Sequence, residues 1–328
     1  LRRPEREDMR SKVTVVGAGN VGASCAALLA QRELADVVLV DVRQGVARGK
    51  ALDILQSGPL EGSDVRVTGD DDYGATAGSD VVVLTAGFPR KAGMSREDLL
   101  SSNLDVVKAT VEEAVRHSPG SILIVVTNPV DAMCHVAYEV SGFPRRRVVG
   151  MGGVLDASRF RAFVAQELSV SAEDVTALVL GGHGDTMAPL VRHARVGGIP
   201  IVELLDEAAI QRLVRRTREA GTEIVKFLQT RSAHTAPAAA AVQMVEAILK
   251  DKKRVLPCSA LLEGEYGIRG LFVGVPVKLG AGGVERIFEL KLEPGEREAL
   301  RRSAAAVKEL VDLLAPKFEE IRARRILA

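Results

Sequence analysis

Tryptophan is absent from this 328-residue sequence, and tyrosine occurs only three times. Aromatic stacking on nucleic-acid bases therefore has little material to act with. No charge sign prevails either, because 44 Lys and Arg residues against 43 Asp and Glu residues leave a formal net charge of +1. We therefore expect neither a nucleic acid nor a membrane surface as a partner, and a few placed arginines must hold any anionic ligand.

Long apolar runs and paired cysteines are also missing. No run approaches the roughly 18 residues that a membrane span needs, and residues 1–10 lack the apolar centre of a signal peptide. Cys25, Cys134 and Cys258 are odd in number and scattered, which argues against a disulfide framework and a Cys-x-x-Cys metal site. We expect a cytoplasmic protein without a bound metal.

The first half of the chain alternates short apolar strands with helical patterns. Residues 1–10 mix both charges around a proline and predict a disordered tail. Strand patterns follow at 13–16, 37–40, 65–68, 81–85 and 122–127. Strands that are apolar on both faces and separated by helices predict a parallel sheet covered on both sides. The sequence thus predicts a doubly wound α/β domain of the Rossmann kind over residues 11–152.

The rhythm changes after about residue 150. Helices are predicted at 156–168, 206–227 and 237–250, and strands at 175–180, at 187–193 and near Ile199. Three strands separated by glycines suggest an antiparallel meander, at 254–262, 271–279 and 284–289. A long amphipathic helix at 294–325 closes the chain. We therefore predict an α+β substrate-binding domain over residues 153–328, with its boundary at Gly152-Gly153.

A glycine motif follows the first predicted strand and opens a helix. Gly17-Ala18-Gly19-Asn20-Val21-Gly22 fits G-x-G-x-x-G, in which the glycines make the turn, admit a pyrophosphate and let helix pack on strand. Asp41 ends the next strand about 20 residues further on, where a carboxylate binds ribose and repels a 2′-phosphate. The set predicts an NAD site, although Arg43 nearby weakens the preference over NADP; the alternative is a structural turn.

A basic loop follows the strand at 81–85. Residues 87–96, GFPRKAGMSR, place Arg90, Lys91 and Arg96 at the carboxyl edge of the predicted sheet, where such sheets bind ligands. Basic loops are more often simply solvated. This position nevertheless favours a lid that carries anion-binding arginines.

One histidine of the second half has an open setting. His183 lies between two glycines after an apolar strand, and an accessible ring suits proton transfer. Asp185 and Asp156 are both candidate partners of this ring, and spacing does not decide between them. The remaining histidines are expected to be surface or packing residues: His117, His135, His193 and His234.

A pair of opposite charges lies in the helix predicted at 156–168. Asp156 and Arg159 are three residues apart, so they share one face of that helix. On spacing alone, an ordinary surface ion pair is the favoured interpretation.

Five segments, taken in order, resemble one known family. GAGNVG with Asp41, TAGFPRKAGMSR, VTNPVD, GVLDASRF and GGHGDTMAPL resemble the NAD-dependent lactate/malate dehydrogenases, and the likeness extends from about Lys12 to the C-terminus. The resemblance implies hydride transfer between NAD and a small 2-hydroxy acid, and it is strongest to the malate-specific members of the lactate-dehydrogenase-like branch. It also implies a homodimer or homotetramer and a place in the tricarboxylic acid cycle.

The resemblance assigns catalytic and substrate-binding roles to matching residues. His183 matches the proton donor and acceptor, and Asp156 matches the carboxylate that orients it. Arg159 matches the arginine on the substrate carboxylate, Arg96 the one that polarises the reacting carbonyl, and Arg90 the one that selects a second carboxylate.

The resemblance also implies cofactor contacts from several loops. It implies that the peptide bond between Asn128 and Pro129 is cis. Asn128 also matches a substrate contact. The cofactor-binding set is Gly17, Gly19, Asn20, Val21, Gly22, Asp41, Asn103, Thr127 and Asn128. The chain departs from the family at Ala92, Arg231 and His234-Thr235, and the added arginine bears on substrate specificity.

Three other functions remain open at this level. A lactate or other 2-hydroxyacid dehydrogenase is opposed by Arg90. An NAD-dependent glycosidase would need metal ligands, for which Cys134-His135 is the only adjacent pair. A non-catalytic NAD-binding protein is opposed by the intact set of histidine, aspartate and arginines.

Overall fold

The computed structural model describes residues 10–88, 96–229 and 232–327, without the side chains of 96–97 and 324–327. Arg90, Ala92 and Arg231 lie outside these ranges, and so does the predicted disordered tail apart from Arg10. The predictions that concern these residues stay predictions.

The first half is a parallel sheet whose strand order reverses at one point. Within the described residues it contains six strands: β1 Lys12–Val16, β2 Asp36–Val40, β3 Val67–Asp70, β4 Val81–Leu84, β5 Ile122–Val125 and β6 Val148–Gly150. Their spatial order is β6-β5-β4-β1-β2-β3, and neighbouring strands run parallel. The order reverses between β1 and β4, and ligands of such sheets bind beyond the carboxyl ends of the strands at that point.

Helices cover both faces of this sheet because its strands are apolar on both sides. β2, β4 and β5 are buried along their whole length. The covering helices are α1 Asn20–Gln31, α2 Val46–Glu61, α3 Arg96–His117 and α4 Val130–Ser141. Side chains of α1 and α2 share one buried cluster with the sheet, and those of α3 and α4 share another.

The second half combines helices with short and long strands. Its helices are α5 Gly152–Leu168, α6 Glu207–Leu228, α7 Thr235–Leu249 and α8 Pro294–Leu327. Its short strands are β7 Val175–Thr176, β8 Val179–Leu180, β9 Ala188–Pro189, β10 Arg195–Val196 and β11 Ile199–Pro200. Among the described helices, none is both long and apolar enough to cross a membrane.

The predicted meander extends the first sheet. β12 Arg254–Glu263, β13 Arg269–Gly280 and β14 Gly283–Ile287 pair antiparallel in sequence order. Ser259 of β12 pairs with Gly150 of β6, so one sheet of nine strands runs through the described residues of both halves. The predicted boundary at Gly152-Gly153 lies where α5 begins, and the division into two domains stays a prediction.

Two strand predictions are wrong. The single strand predicted at 175–180 is divided into β7 and β8, which pair with different partners. The strand predicted at 187–193 contains only the two residues of β9, and a 3₁₀ turn follows at Val191–His193. A short apolar run indicates burial, and burial alone does not distinguish an extended strand from a buried turn.

Gly153 in the first turn of α5 brings this helix close to two strands. A Cβ added to Gly153 would lie 2.8 Å from the carbonyl oxygen of Pro257 on β12 and 2.9 Å from that of Val179 on β8. Glycine therefore sets the position of α5, which carries Asp156 and Arg159.

We predict that Gly153→Ala lowers the free energy of unfolding by about 1–3 kcal/mol, because the methyl group must displace backbone. Gly49→Ala is the matched control, since Gly49 is also helical and its Cβ would meet nothing within 4 Å. That variant should gain about 0.5–1 kcal/mol, as alanine replaces glycine in a helix. Urea unfolding followed by circular dichroism measures both, and a Gly153→Ala protein as stable as the parent would contradict the close packing.

Candidate active site

The glycine motif forms a turn that only glycine fits at two of its three positions. Gly17 has a φ of 100°, and a Cβ there would lie 2.7 Å from the amide nitrogen of Ala86. A Cβ at Gly22 would collide with the carbonyl oxygen of Gly17. At Gly19, by contrast, a Cβ would meet nothing within 4 Å, so open space lies beside the turn.

The start of α1 suits the pyrophosphate of a dinucleotide. Gly19 is the N-cap of α1 and, as a glycine, has no side chain to cap the amides of the first turn. These amides include those of Asn20 and Val21, and the helix dipole favours an anion beside them. Together with the open space beside Gly19, this geometry fits the predicted cofactor.

Asp41 lies after β2 as an ionised side chain that is 8% exposed. Its carboxylate accepts hydrogen bonds from the amides of Ala18 at 2.7 Å and Arg43 at 2.9 Å. The Arg43 guanidinium donates two more, at 2.9 and 3.0 Å. Burial alone would raise the pKa of Asp41, but the bonds from Arg43 and Ala18 and the Arg43 charge lower it below its ordinary value. Arg43, the nearby cation that weakened the predicted preference for NAD, is thus paired directly with Asp41.

Asn103, Thr127 and Asn128 join the start of the basic loop to the end of β5. Asn103 is fully buried, its Oδ1 accepts from the amide of Phe88 at 2.7 Å, and its Nδ2 donates to the carbonyl oxygen of Asn128 at 2.7 Å. The Thr127 hydroxyl donates to a backbone carbonyl after β4 at 2.6 Å. The Asn128-Pro129 peptide bond is cis, as expected. The cofactor contacts of these residues stay predictions.

The structure selects Asp156 over Asp185 as the partner of the His183 ring. Nδ1 of His183 lies 2.7 Å from Oδ2 of Asp156, whose side chain is 2% exposed. A carboxylate at Nδ1 favours a proton there, which leaves Nε2 for proton exchange. The His183 side chain is 14% exposed, and Nε2 has no hydrogen-bond partner among the described residues.

Burial and charge act on His183 in opposite directions. Burial alone would lower the pKa of His183, but the charge of Asp156 and its hydrogen bond outweigh burial and raise the pKa above the ordinary value. Arg159 lowers this pKa and Asp131 raises it, both in smaller measure. The ring can therefore hold a proton at higher pH than a free histidine.

Arg159 is not an ordinary surface residue, so that interpretation of its pairing with Asp156 is wrong. Its side chain is 13% exposed, and Nη1 lies 3.3 Å from Oδ1 of Asp156. Nε is buried and has no hydrogen-bond partner among the described residues. Burial lowers the pKa of Arg159, and an unpaired buried donor is costly. An anion bound at Nε would remove that cost.

The other histidines lie in packing or surface positions. His135 is buried, its Nε2 accepts from the amide of Phe272 at 3.0 Å, and burial lowers its pKa to about 4. His117 lies 3.6 Å from Glu113 at the end of α3. In the part of the chain that the structure describes, no group of three or more His, Cys, Asp and Glu residues could hold a metal ion.

Sequence reasoning missed three buried polar residues around the His183 loop: Asp131, Ser259 and Ser303. Asp131 belongs to VTNPVD, and a charged residue among apolar ones was a signal that could have found it. Ser303 lies in α8, far along the chain, and carries no comparable signal. Arg96 begins α3 with an undescribed side chain, and the roles of Arg90 and Arg96 stay predictions.

Comparison with known proteins decides the family. Residues 11–150 match the NAD binding domain of lactate/malate dehydrogenase, and residues 153–317 match its alpha/beta C-terminal domain. The chain belongs to the lactate/malate dehydrogenase family. The predicted fold class and the prediction of an NAD-dependent oxidoreductase are therefore confirmed.

Individual relatives match over almost the whole chain. The malate dehydrogenase of Thermomicrobium roseum is 58% identical over 306 residues, which are 93% of this chain and 99% of that protein. The structure of malate dehydrogenase from Salinibacter ruber is 53% identical with a TM-score of 0.90, covering 94% and 99%. The lactate dehydrogenase of Cryptosporidium parvum, solved with lactic acid and NAD, is 43% identical with a TM-score of 0.90, covering 93% and 98%.

Cofactor choice is tested at Asp41. We predict that Asp41→Ser lowers the ratio of kcat/KM for NADH over NADPH by about tenfold or more, since one charge-assisted contact is worth about 1.5–3 kcal/mol. The substitution also frees Arg43 to meet a 2′-phosphate. The double variant Asp41→Ser, Arg43→Ala should lose that gain for NADPH. If the parent protein already uses NADPH as well as NADH, the role of Asp41 in cofactor choice is contradicted.

The influence of Asp156 on His183 is tested by pH. In the role predicted for His183, reduction of a keto acid needs the protonated ring, so kcat/KM should fall as the pH rises through the His183 pKa and the pH profile should have a falling limb there. Asp156→Asn removes the largest influence that raises this pKa, and the falling limb should move to lower pH by about 1 unit or more. Asp185→Asn, an exposed change in the same loop, should keep the parental limb. If the falling limb of kcat/KM stays at the parental pH in Asp156→Asn, Asp156 has no part in the proton transfer.

Proposed function

We propose that this chain oxidises (S)-malate to oxaloacetate reversibly with NAD, with His183 as the proton acceptor and donor. The observation that carries the proposal is the contact between His183 Nδ1 and Asp156 Oδ2 at 2.7 Å, beside a buried arginine with an unpaired edge. The predicted malate dehydrogenase activity is confirmed by the curated relatives, among them one at 58% identity over 93% of this chain.

The ring of His183 moves the proton of the substrate hydroxyl. In malate oxidation neutral Nε2 accepts this proton while hydride leaves C2, and in oxaloacetate reduction the protonated ring returns it. NAD, when bound, supplies the acceptor for the hydride. Asp156 holds Nδ1 and stabilises the imidazolium, because its charge lies against the ring.

Arg159 presents two donors to a substrate carboxylate. Its Nη1 is engaged by Asp156, whereas Nε and Nη2 lie along another edge of the planar guanidinium. Nε is buried, and neither of these two atoms has a hydrogen-bond partner among the described residues. This edge matches the two oxygens of a carboxylate, a bidentate fit that lysine does not offer. Gly221 of α6 leaves space beside this edge, because it has no side chain and a Cβ added there would lie 3.8 Å from Nη2.

The basic loop at residues 87–96, which we propose is a lid, supplies the remaining two arginines. Arg96 polarises the reacting carbonyl, and Arg90 binds the second carboxylate of oxaloacetate. Pyruvate has only one carboxylate, so it would leave Arg90 enclosed without a partner when the lid closes, which is unfavourable.

Lactate is the second candidate substrate. The Cryptosporidium parvum lactate dehydrogenase, at 43% identity and a TM-score of 0.90, shares the fold of this chain. NADH oxidation with oxaloacetate and with pyruvate, measured side by side, separates the two activities. Faster turnover of pyruvate than of oxaloacetate would contradict malate dehydrogenase activity and support lactate dehydrogenase activity.

We also propose a homodimer or homotetramer in the cytoplasm that serves the tricarboxylic acid cycle. Exposed apolar side chains on α2 support self-association: Leu52 is 54% exposed, Leu55 44% and Leu60 89%. Cys25, Cys134 and Cys258 are buried and free, which suits a reducing compartment. Sedimentation velocity measures the assembly.

Substrate choice is tested at Arg90. We predict that Arg90→Gln lowers kcat/KM for oxaloacetate by at least about tenfold, or about 1.4 kcal/mol, and raises pyruvate turnover relative to oxaloacetate. Arg90→Lys should restore oxaloacetate turnover only in part, because a point charge lacks the planar fork. NADH affinity should stay near the parental value in both. An unchanged ratio of the two keto acids in Arg90→Gln would place recognition of the second carboxylate elsewhere, with Arg231 to be tested next.

A further inference from the structure

A second buried carboxylate lies behind the loop that carries His183. Asp131 of α4 is 6% exposed. Its Oδ2 accepts the backbone N–H of His183 at 2.8 Å, and its Oδ1 accepts the hydroxyl of Ser259 on β12 at 2.6 Å. Each carboxylate oxygen thus meets a donor, which is the arrangement that an ionised carboxylate needs away from water.

The residues just before His183 are also held by interior groups. The amide of Gly182 donates to Oγ of Ser303 at 2.8 Å, and Ser303 is fully buried in α8. Gly181 and Gly274 of β13 exchange backbone hydrogen bonds of 2.9 and 3.0 Å. Three consecutive residues are therefore fixed by their backbones before the imidazole reaches Asp156. Asp131 is the only one of these anchors that carries a charge.

Among the described residues, the charged side chains with the largest effects on the pKa of His183 are Asp156, Arg159 and Asp131. Burial has the largest influence on the pKa of Asp131 and raises it above its ordinary value, although the hydrogen bonds from Ser259 and from the His183 amide oppose that rise. The Asp131 charge in turn raises the pKa of His183. The hydrogen bonds that its two oxygens accept nevertheless favour an ionised Asp131, and that charge favours the protonated ring of His183.

We propose that Asp131 is a positioning residue for the proton transfer. As a carboxylate it holds the backbone of His183 and stabilises the protonated ring, and it acts through His183 rather than on the substrate. This inference rests on the proposed function, because it assigns Asp131 a part in the work of His183.

The substitution Asp131→Asn separates charge from shape. The amide keeps an acceptor for the His183 N–H and offers a donor to Oγ of Ser259, so the loop retains its anchor. The falling limb of kcat/KM for oxaloacetate with NADH should move to lower pH by about 0.5–1 unit. Above that limb kcat/KM should fall by about three- to tenfold. KM for NADH should stay parental.

Asp185→Asn is the matched control, because it makes the same change at an exposed residue of the same loop. It should leave the limb in place. A parental limb in Asp131→Asn, or an equal shift in Asp185→Asn, overturns the proposal whatever happens to kcat. Were Asp131→Asn unable to fold, Ser259→Ala would decide instead, since it removes one donor from the same carboxylate and should move the limb in the same direction.

An NMR titration distinguishes failure of this inference from failure of the proposed function. A parent that does not reduce oxaloacetate contradicts the proposed function. The His183 ring resonances, assigned by their loss in His183→Asn, still report its pKa without turnover. A lower His183 pKa in Asp131→Asn than in the parent supports the role of Asp131, and an equal pKa overturns it.

Discussion

A carboxylate is stable away from water only where donors meet its charge, and Asp156, 1% exposed, depends on two of them. One is the His183 ring and the other is the Arg159 guanidinium, at 2.7 and 3.3 Å. Because both donors belong to the proposed substrate site, one buried charge sets their positions together. Removal of Asp156 would release the proposed proton carrier and the proposed carboxylate-binding arginine at the same time.

The contact between Asp156 and His183 needs two separate chain segments to pack against each other. Asp156 comes from α5, which Gly153 allows to approach β8 and β12. The His183 loop follows β8 and is paired to β13 through Gly181 and Gly274, where a Cβ on Gly274 would lie 2.5 Å from the carbonyl oxygen of Gly181. The meander therefore does more than complete the core, since it also fixes the position of the His183 loop relative to α5.

Sequence patterns predicted the elements that are regular and the residues that belong to motifs. The apolar strands β1, β2, β4 and β5 and the glycine turn follow from local periodicity and backbone sterics, which the sequence carries directly. The partner of the His183 ring could not be predicted from spacing, because the choice between Asp185 and Asp156 depends on the tertiary fold. β6 also escaped, because its three residues are too short to show a period. Asp131 and Ser303 gain their meaning from contacts across more than 50 residues of chain.

Asp41, which we propose binds a ribose hydroxyl of NAD, accepts hydrogen bonds from two backbone amides and from the side chain of Arg43. Its amide donors, from Ala18 and Arg43, belong to the rigid turn, whereas the Arg43 side chain is 61% exposed. Because the Arg43 side chain is largely exposed, water can solvate the guanidinium when it leaves, although it gives up two hydrogen bonds to Asp41. The amides keep the carboxylate in place during that exchange. In the proposed function, a ribose hydroxyl of NAD would take the place of the guanidinium, so that Asp41 would exchange one hydrogen-bond partner for another and no new charge would be buried.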